Sequence, residues 1–321
     1  METIKLLTVR SEIAAGTRGA GMGIDALIVA SLDQKSTFFK EHKVQNIDDV
    51  NNILFNNNNY PNAKHIDGVH TMLNRVSNHT YDTLKAGETP VVLAGDHSTA
   101  AGTISGIKKA FPHQKLGVIW IDAHADFHSP YTTPSGNMHG MPLAMVSGID
   151  NKENAVNNPS EETVAYWEDI KKVGTTSSKI DPSDVVFIGV RDTEGPENEI
   201  MKKHNIRNIT VDEVRAMGTQ AAAELALNKL TDCDMIYISF DVDSMDPSIS
   251  RGTGTPVEHG LTVEEAKELN TILVSNEKVV CWEMVEVNPT LDRDNIMANN
   301  AFKILNETVE AIKKKSLLMV S

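Results

Sequence analysis

Leu116–Gly140, LGVIWIDAHADFHSPYTTPSGNMHG, decides how this chain folds. Leu116 to Ile121 is apolar without interruption, the pattern of a strand covered on both faces. Asp122, His124 and Asp126 then follow at every second position. In extended backbone alternate side chains share one side, so three ligand-type groups converge just past a strand end. Mixed carboxylate and imidazole donors suit Mn, Fe, Co or Zn better than Ca or Mg. Taken singly, each could be a helix cap, a turn former or a structural histidine. Taken together, they cluster like charges that only a cation balances.

Working outward, the same hand-over from apolar run to polar group recurs. Val91–Leu93 runs into Ala94-Gly95-Asp96-His97-Ser98, with Ser98 placed to cap a helix over 99–111. Val185–Val190 runs into Asp192, Glu194 and Glu197, Met235–Phe240 into Asp241 and Asp243, and a strand over 279–287 carries Glu286. Ile4–Val9 reads as a first strand and Ile209–Val211 as a short one. Helical spacing marks 65–86, 161–172, 212–230 and 293–318, and Thr262 with Glu265 forms a capping box opening 262–275. The glycine-rich Arg18–Gly23 does not fit a dinucleotide fingerprint and leads into a short helix over 24–31. Asn46–Asn62, with asparagine at each position from 56 to 59, reads as a solvated loop, and 147–179 is the least regular region. Strands and helices alternate without a boundary-like linker. The expectation is a single domain over 1–321, an α/β fold with one doubly wound, mainly parallel sheet and helices on both faces.

Composition narrows the partners. The 321 residues carry a formal net charge of −14, which argues against nucleic acid and would steer a cationic substrate inward. Cys233 and Cys281 are the only cysteines and lie in or beside apolar runs, so free thiols in a reducing compartment are expected. The short, acid-bearing N-terminal run does not read as a signal peptide, and no stretch approaches the ~18 apolar residues of a membrane span. A cytoplasmic protein without membrane partners is expected.

In a parallel sheet the C-terminal strand ends share one edge, so His97, Asp122, His124, Asp126, Asp241 and Asp243 can meet. Four aspartates and two histidines can hold two divalent ions, and paired ions that share a water suit hydrolysis. Here the residues resemble the ureohydrolases, and among them the arginase family most. The resemblance rests on AGDHS (94–98), DAHAD (122–126), SGNMHGMP (135–142), SFDVDSMDP and GTGTP (239–256), and EVNP (286–289). It implies an arginase/deacetylase-like fold and two Mn²⁺ per chain, with Co²⁺ as another possible ion. One ion would take His97, Asp122, Asp126 and Asp241; the other His124, Asp122, Asp241 and Asp243. It further implies attack by a metal-bridging hydroxide on a guanidinium anchored by Glu286 near Thr255, with His139 protonating the leaving amine. Among the catalytic residues so implied are His139, Glu286 and Asp126.

The resemblance also implies a substrate. In arginases the serine and asparagine of the segment Thr133–Gly140, here Ser135 and Asn137, hold the substrate's α-carboxylate. Glu194, with Glu197 through water and Asp192 in support, would meet its α-amino group. The alternative for these three acids is a helix N-terminal turn, where carboxylates are favoured anyway. His128 stands where arginases usually carry Asn, and Glu194 where they usually carry Asp. Hydrolysis of L-arginine to L-ornithine and urea is thus expected; the alternatives are another guanidino or formimino compound (guanidinobutyrate, agmatine, formimidoylglutamate), a catalytically silent subunit, or a one-metal zinc deacetylase. A homotrimer or homohexamer is implied as well.

Overall fold

A computed structural model describes residues 3–318, so the ends of the expected 1–321 domain lie outside the described residues. Eight strands, β1 (Thr3–Val9), β2 (Lys43–Ile47), β3 (Glu88–Ala94), β4 (Leu116–Ile121), β5 (Val185–Ile188), β6 (Arg207–Ile209), β7 (Met235–Asp241) and β8 (Val279–Val285), form one sheet in the order β2-β1-β3-β8-β7-β4-β5-β6. Every pairing in it is parallel, among them Val118 opposite both Val185 and Tyr237. The five strands that precede the expected site residues, β3, β8, β7, β4 and β5, are consecutive in that order.

Alternation along the strands divides the core in two. Ile119, Ile121, Ile238, Phe240 and Trp282 pack with Leu27, Ala223, Leu269, Phe302 and Leu305 of helices on one face. Val118, Trp120, Phe187 and Tyr237 pack with Leu73, Val76, Ile104 and Trp167 on the other. Each fully buried Leu or Ile contributes about 1.5–3 kcal/mol, so both faces must be covered for the sheet to persist. The doubly wound expectation holds, and the sheet is parallel throughout.

Several boundaries differ from the sequence reading. Asn46–Asn62 is not all loop: its start belongs to the edge strand β2, and Asn51–Phe55 forms a 3₁₀ turn. The short strand near 209 ends, rather than begins, at Ile209. The helix expected over 212–230 is two, Val211–Met217 and Thr219–Lys229, broken at Gly218 with φ of 84°. Ser98 does not cap a helix; it lies in a 3₁₀ turn whose cap is Asp96, and the helix itself runs Ala100–Ala110. Capping by Thr262 and Glu265 is present as read.

Candidate active site

The side chains above the central strand ends are aimed by the backbone just after each strand. Beyond β3, Asp96 Oδ1 accepts from Ser98 N at 3.0 Å, and its Oδ2 accepts from Ala14 N at 3.2 Å. That turn presents His97, 2% exposed, whose ring stacks on Trp120 with centroids 4.1 Å apart. Its Nε2 lies 2.7 Å from Ser239 Oγ. Nδ1 therefore faces three carboxylate oxygens, Asp122 Oδ2 at 3.1 Å, Asp126 Oδ2 at 3.1 Å and Asp241 Oδ2 at 3.2 Å.

His124 makes a second focus, with Nδ1 3.0 Å from Asp243 Oδ2 and 3.4 Å from Asp122 Oδ1. Asp122 thus turns one oxygen to each imidazole. Asp126 is held at φ 52° and Glu286 at φ 66°, left-handed conformations that non-glycine residues adopt where surrounding structure over-determines them. Glu286 N donates to Gly95 O at 2.8 Å, which ties the turn after β8 to the end of β3.

Protons alone balance this arrangement poorly. His97 Nδ1 and Asp122 Oδ2 are buried without a hydrogen-bond partner, and one N–H cannot serve three carboxylates. Burial, then Asp243 and Asp122, push the Asp241 carboxyl far above its usual range. Burial and Asp122 push Asp243 up to about 6. Asp122 is driven the other way: burial is outweighed by the neighbouring His124 and His97 imidazoles, which favour its charged form. Divalent cations at the two foci would satisfy every donor, and His/Asp sets of this kind fit them.

The remaining expected residues fall into two groups. His128, Thr133, Ser135, Asn137, His139, Glu194, Glu197 and Thr255 line the same cavity as the six ligand-type residues. His139 Nδ1 is 3.2 Å from Glu286 Oε1, which also accepts from His97 N at 3.0 Å. Burial would lower the His139 pKa, but its hydrogen bond to Glu286 raises it. Thr255 Oγ1 donates to Asp243 Oδ2 at 3.1 Å. Asp192 does not line the cavity; its largely exposed carboxylate sits 3.8 Å from His124 Nε2. Glu286 is buried beside the cavity rather than lining it. Glu197 is buried, accepting from Phe127 N and Glu194 N at 3.1 Å each, so it holds the start of the helix Gly195–Lys203 as well as the cavity wall.

With this geometry in view, the profile of the arginase family matches residues 2–310. The chain belongs to the arginase family. It is 30% identical to the arginase of Bacillus subtilis (strain 168) over 320 residues, 99% of each protein. The solved arginase of Bacillus caldovelox superposes with a TM-score of 0.82 at 30% identity, covering 96% of this chain and 98% of that one. The formimidoylglutamase of Bacillus subtilis shares the fold, with a TM-score of 0.73 at 21% identity over 98% of this chain and 88% of its own. As an arginase-family protein the chain is a hydrolase, and the family's dependence on a binuclear metal centre agrees with the two His/Asp foci.

Some side chains that shape this arginase-family site were given no role by sequence reasoning. Arg191 donates to Gly189 O, Asp243 O, Val257 O and Glu258 O at 2.8–3.0 Å, lashing the GTGTP loop to the ends of β5 and β7. Ser239 and Asp96 orient His97. Asp96 and Ser239 lie inside the AGDHS and SFDVDSMDP blocks and Arg191 next to Asp192, which is the local signal that could have found them. Lys64 had no signal at all; it donates to Asn137 Oδ1 at 3.0 Å from between the Asn-rich stretch and the helix that follows it. Among the described residues, no helix is long and apolar enough to cross a membrane.

Proposed function

We propose that this protein hydrolyses the guanidinium group of L-arginine to L-ornithine and urea. The observation that carries the reading is the shared cavity: the six ligand-type side chains and the Ser135–Asn137 loop open onto one space. Two divalent ions, Mn²⁺ first among them, would be held by His97, Asp122, Asp126 and Asp241 and by His124, Asp122, Asp241 and Asp243. The chemistry such ions supply when bound is the lowering of water's pKa toward neutrality, which provides a nucleophile.

The chain's own groups do the rest. Glu286 supplies a carboxylate to a delocalised cation, with Thr255 nearby. Ser135 and Asn137 offer donors to an α-carboxylate, and Glu194 and Glu197 offer acceptors to an α-ammonium. His139 carries the proton that lets the amine leave. A single domain over 1–321, a homotrimer or homohexamer and a cytoplasmic location belong to the same reading.

A second reading is favoured by one observation: His128 and Glu194 are bonded to each other at 2.8 Å, which draws on the carboxylate meant for the α-ammonium. A guanidino or formimino acid without that ammonium would then fit. Urea release by Mn²⁺-loaded protein from L-arginine, guanidinobutyrate and agmatine, with formamide release from formimidoylglutamate, separates the readings. Preference for L-arginine supports the first; activity on guanidinobutyrate or formimidoylglutamate alone replaces it with the second.

A further inference from the structure

The Asn-rich segment found no role in the sequence reading, yet its far end packs against the carboxylate-reading loop. Gly136 sits at φ 76°, and a Cβ there would lie 1.9 Å from Pro61 O, so the two backbones touch. Lys64 N donates to Gly136 O at 2.7 Å, and Lys64 Nζ donates to Asn137 Oδ1 at 3.0 Å. One residue thus grips the loop by both its backbone and its side chain.

The chemistry of the two groups fixes which way Asn137 points. An ammonium only donates, so it accepts no alternative to the carboxamide oxygen. Nδ2 is left on the other side, 2.6 Å from where a Gly16 side chain would begin, and it has no protein acceptor among the described residues. Ser135 Oγ accepts from Asn137 N at 3.1 Å, which leaves its own proton to donate. Both residues line the cavity, and each keeps a donor that no protein acceptor takes among the described residues. No Asp or Glu lies within salt-bridge distance of Lys64 Nζ among the described residues, so its charge is not neutralised by a partner acid.

We propose that Lys64 is a positioning and specificity-determining residue for carboxylate-bearing substrates: it sets the Asn137 carboxamide with its N–H groups outward to the substrate and adds an unneutralised positive charge behind it. This rests on the reading of the cavity as a site for a guanidino acid. Lys64 does not line the cavity, and its hydrogen bonds go to Gly136 and Asn137 rather than to a ligand-type residue, so its effect belongs in KM.

The test uses Mn²⁺-loaded full-length protein and three variants, Lys64→Arg, Lys64→Met and Lys64→Glu, with L-arginine, guanidinobutyrate and agmatine. Lys64→Arg keeps a donor-only cation and should stay near wild type. Lys64→Met should raise KM for the preferred carboxylate-bearing substrate about 5–20-fold with kcat little changed. Lys64→Glu only accepts, turns the carboxamide around and should raise KM further. Agmatine, which lacks the carboxylate, should keep its wild-type kcat/KM in all three. Metal content and the thermal midpoint check that each variant is folded. Unchanged KM in both Lys64→Met and Lys64→Glu, or an equal loss on agmatine, overturns the proposal. A wild type that prefers agmatine overturns the reading beneath it, and Lys64 with it.

Discussion

His128 Nε2 lies 2.8 Å from Glu194 Oε2, so the two cavity-lining positions at which this chain departs from the arginase pattern are bonded to one another. The same nitrogen is 3.5 Å from Glu197 Oε2. The extra methylene of Glu194 and the ring in place of an asparagine amide therefore act as one change. The bridge spans the cavity wall, from the loop after β4 to the start of the helix Gly195–Lys203. On the proposed reading, in which Glu194 meets an α-ammonium, the bridge costs recognition, because a carboxylate oxygen held by an imidazole N–H has less to offer a second donor.

The coupling is measurable. In a double-mutant cycle of His128→Asn and Glu194→Asp, read as kcat/KM on the preferred substrate, the pair should show an interaction of about 0.5–3 kcal/mol. The double variant should bind L-arginine more tightly than either single one, because it restores the family's Asn and Asp together. Strict additivity of the two changes would sink the idea that they act as a unit.

The metal foci make a second prediction. Asp122 turns Oδ2 to His97 at 3.1 Å and Oδ1 to His124 at 3.4 Å. Asp122→Asn should therefore lose both ions and the activity together, and Asp241→Asn should do likewise. Elemental analysis of wild type should give two divalent ions per chain, and chelation should lower the thermal midpoint by removing a ligand of the folded state. One ion per chain would favour a deacetylase-type site. Full activity in Asp122→Asn would end the two-focus account.

His139 should behave differently. Its Nδ1 is 3.2 Å from Glu286 Oε1 and it holds no place among the ligand-type groups. His139→Asn should keep both ions while the rate falls by about 10²–10⁴, the size of a lost acid–base group. If metal content falls with the rate, the residue is structural and its proton-carrying role is wrong.

What the sequence made legible was whatever periodicity and adjacency carry. Buried parallel strands read as apolar runs, so β3, β4, β5, β7 and β8 were found with the polar groups at their ends. The edge strand β2 was missed because its outer residues are exposed and polar, leaving no apolar run. The break at Gly218 was missed because helical spacing continues across it, and only a left-handed φ shows the interruption. Lys64 was missed for another reason. It meets Asn137 across 73 residues, and no local pattern encodes a contact between two loops. The grip of Arg191 on Val257 and Glu258 is hidden in the same way.

The last prediction concerns stability, away from the site. Lys179 is 3% exposed, its Nζ donates to the Lys171 carbonyl, and no carboxylate pairs with it among the described residues. Burial lowers its pKa to about 8 from an ordinary 10.5. Below pH 8 both folded and unfolded chains carry the proton, and the folded state bears the full cost of burying the charge. Between pH 8 and 10.5 the unfolded chain binds more of the proton than the folded one, so this residue's contribution rises with pH across that window. Lys179→Met should therefore raise stability by about 1–3 kcal/mol at pH 7, a gain that shrinks toward pH 10. Urea unfolding of both proteins at the two pH values reads it directly. A variant less stable at pH 7, or one whose gain is as large at pH 10, would show that the Lys171 hydrogen bond outweighs the buried charge.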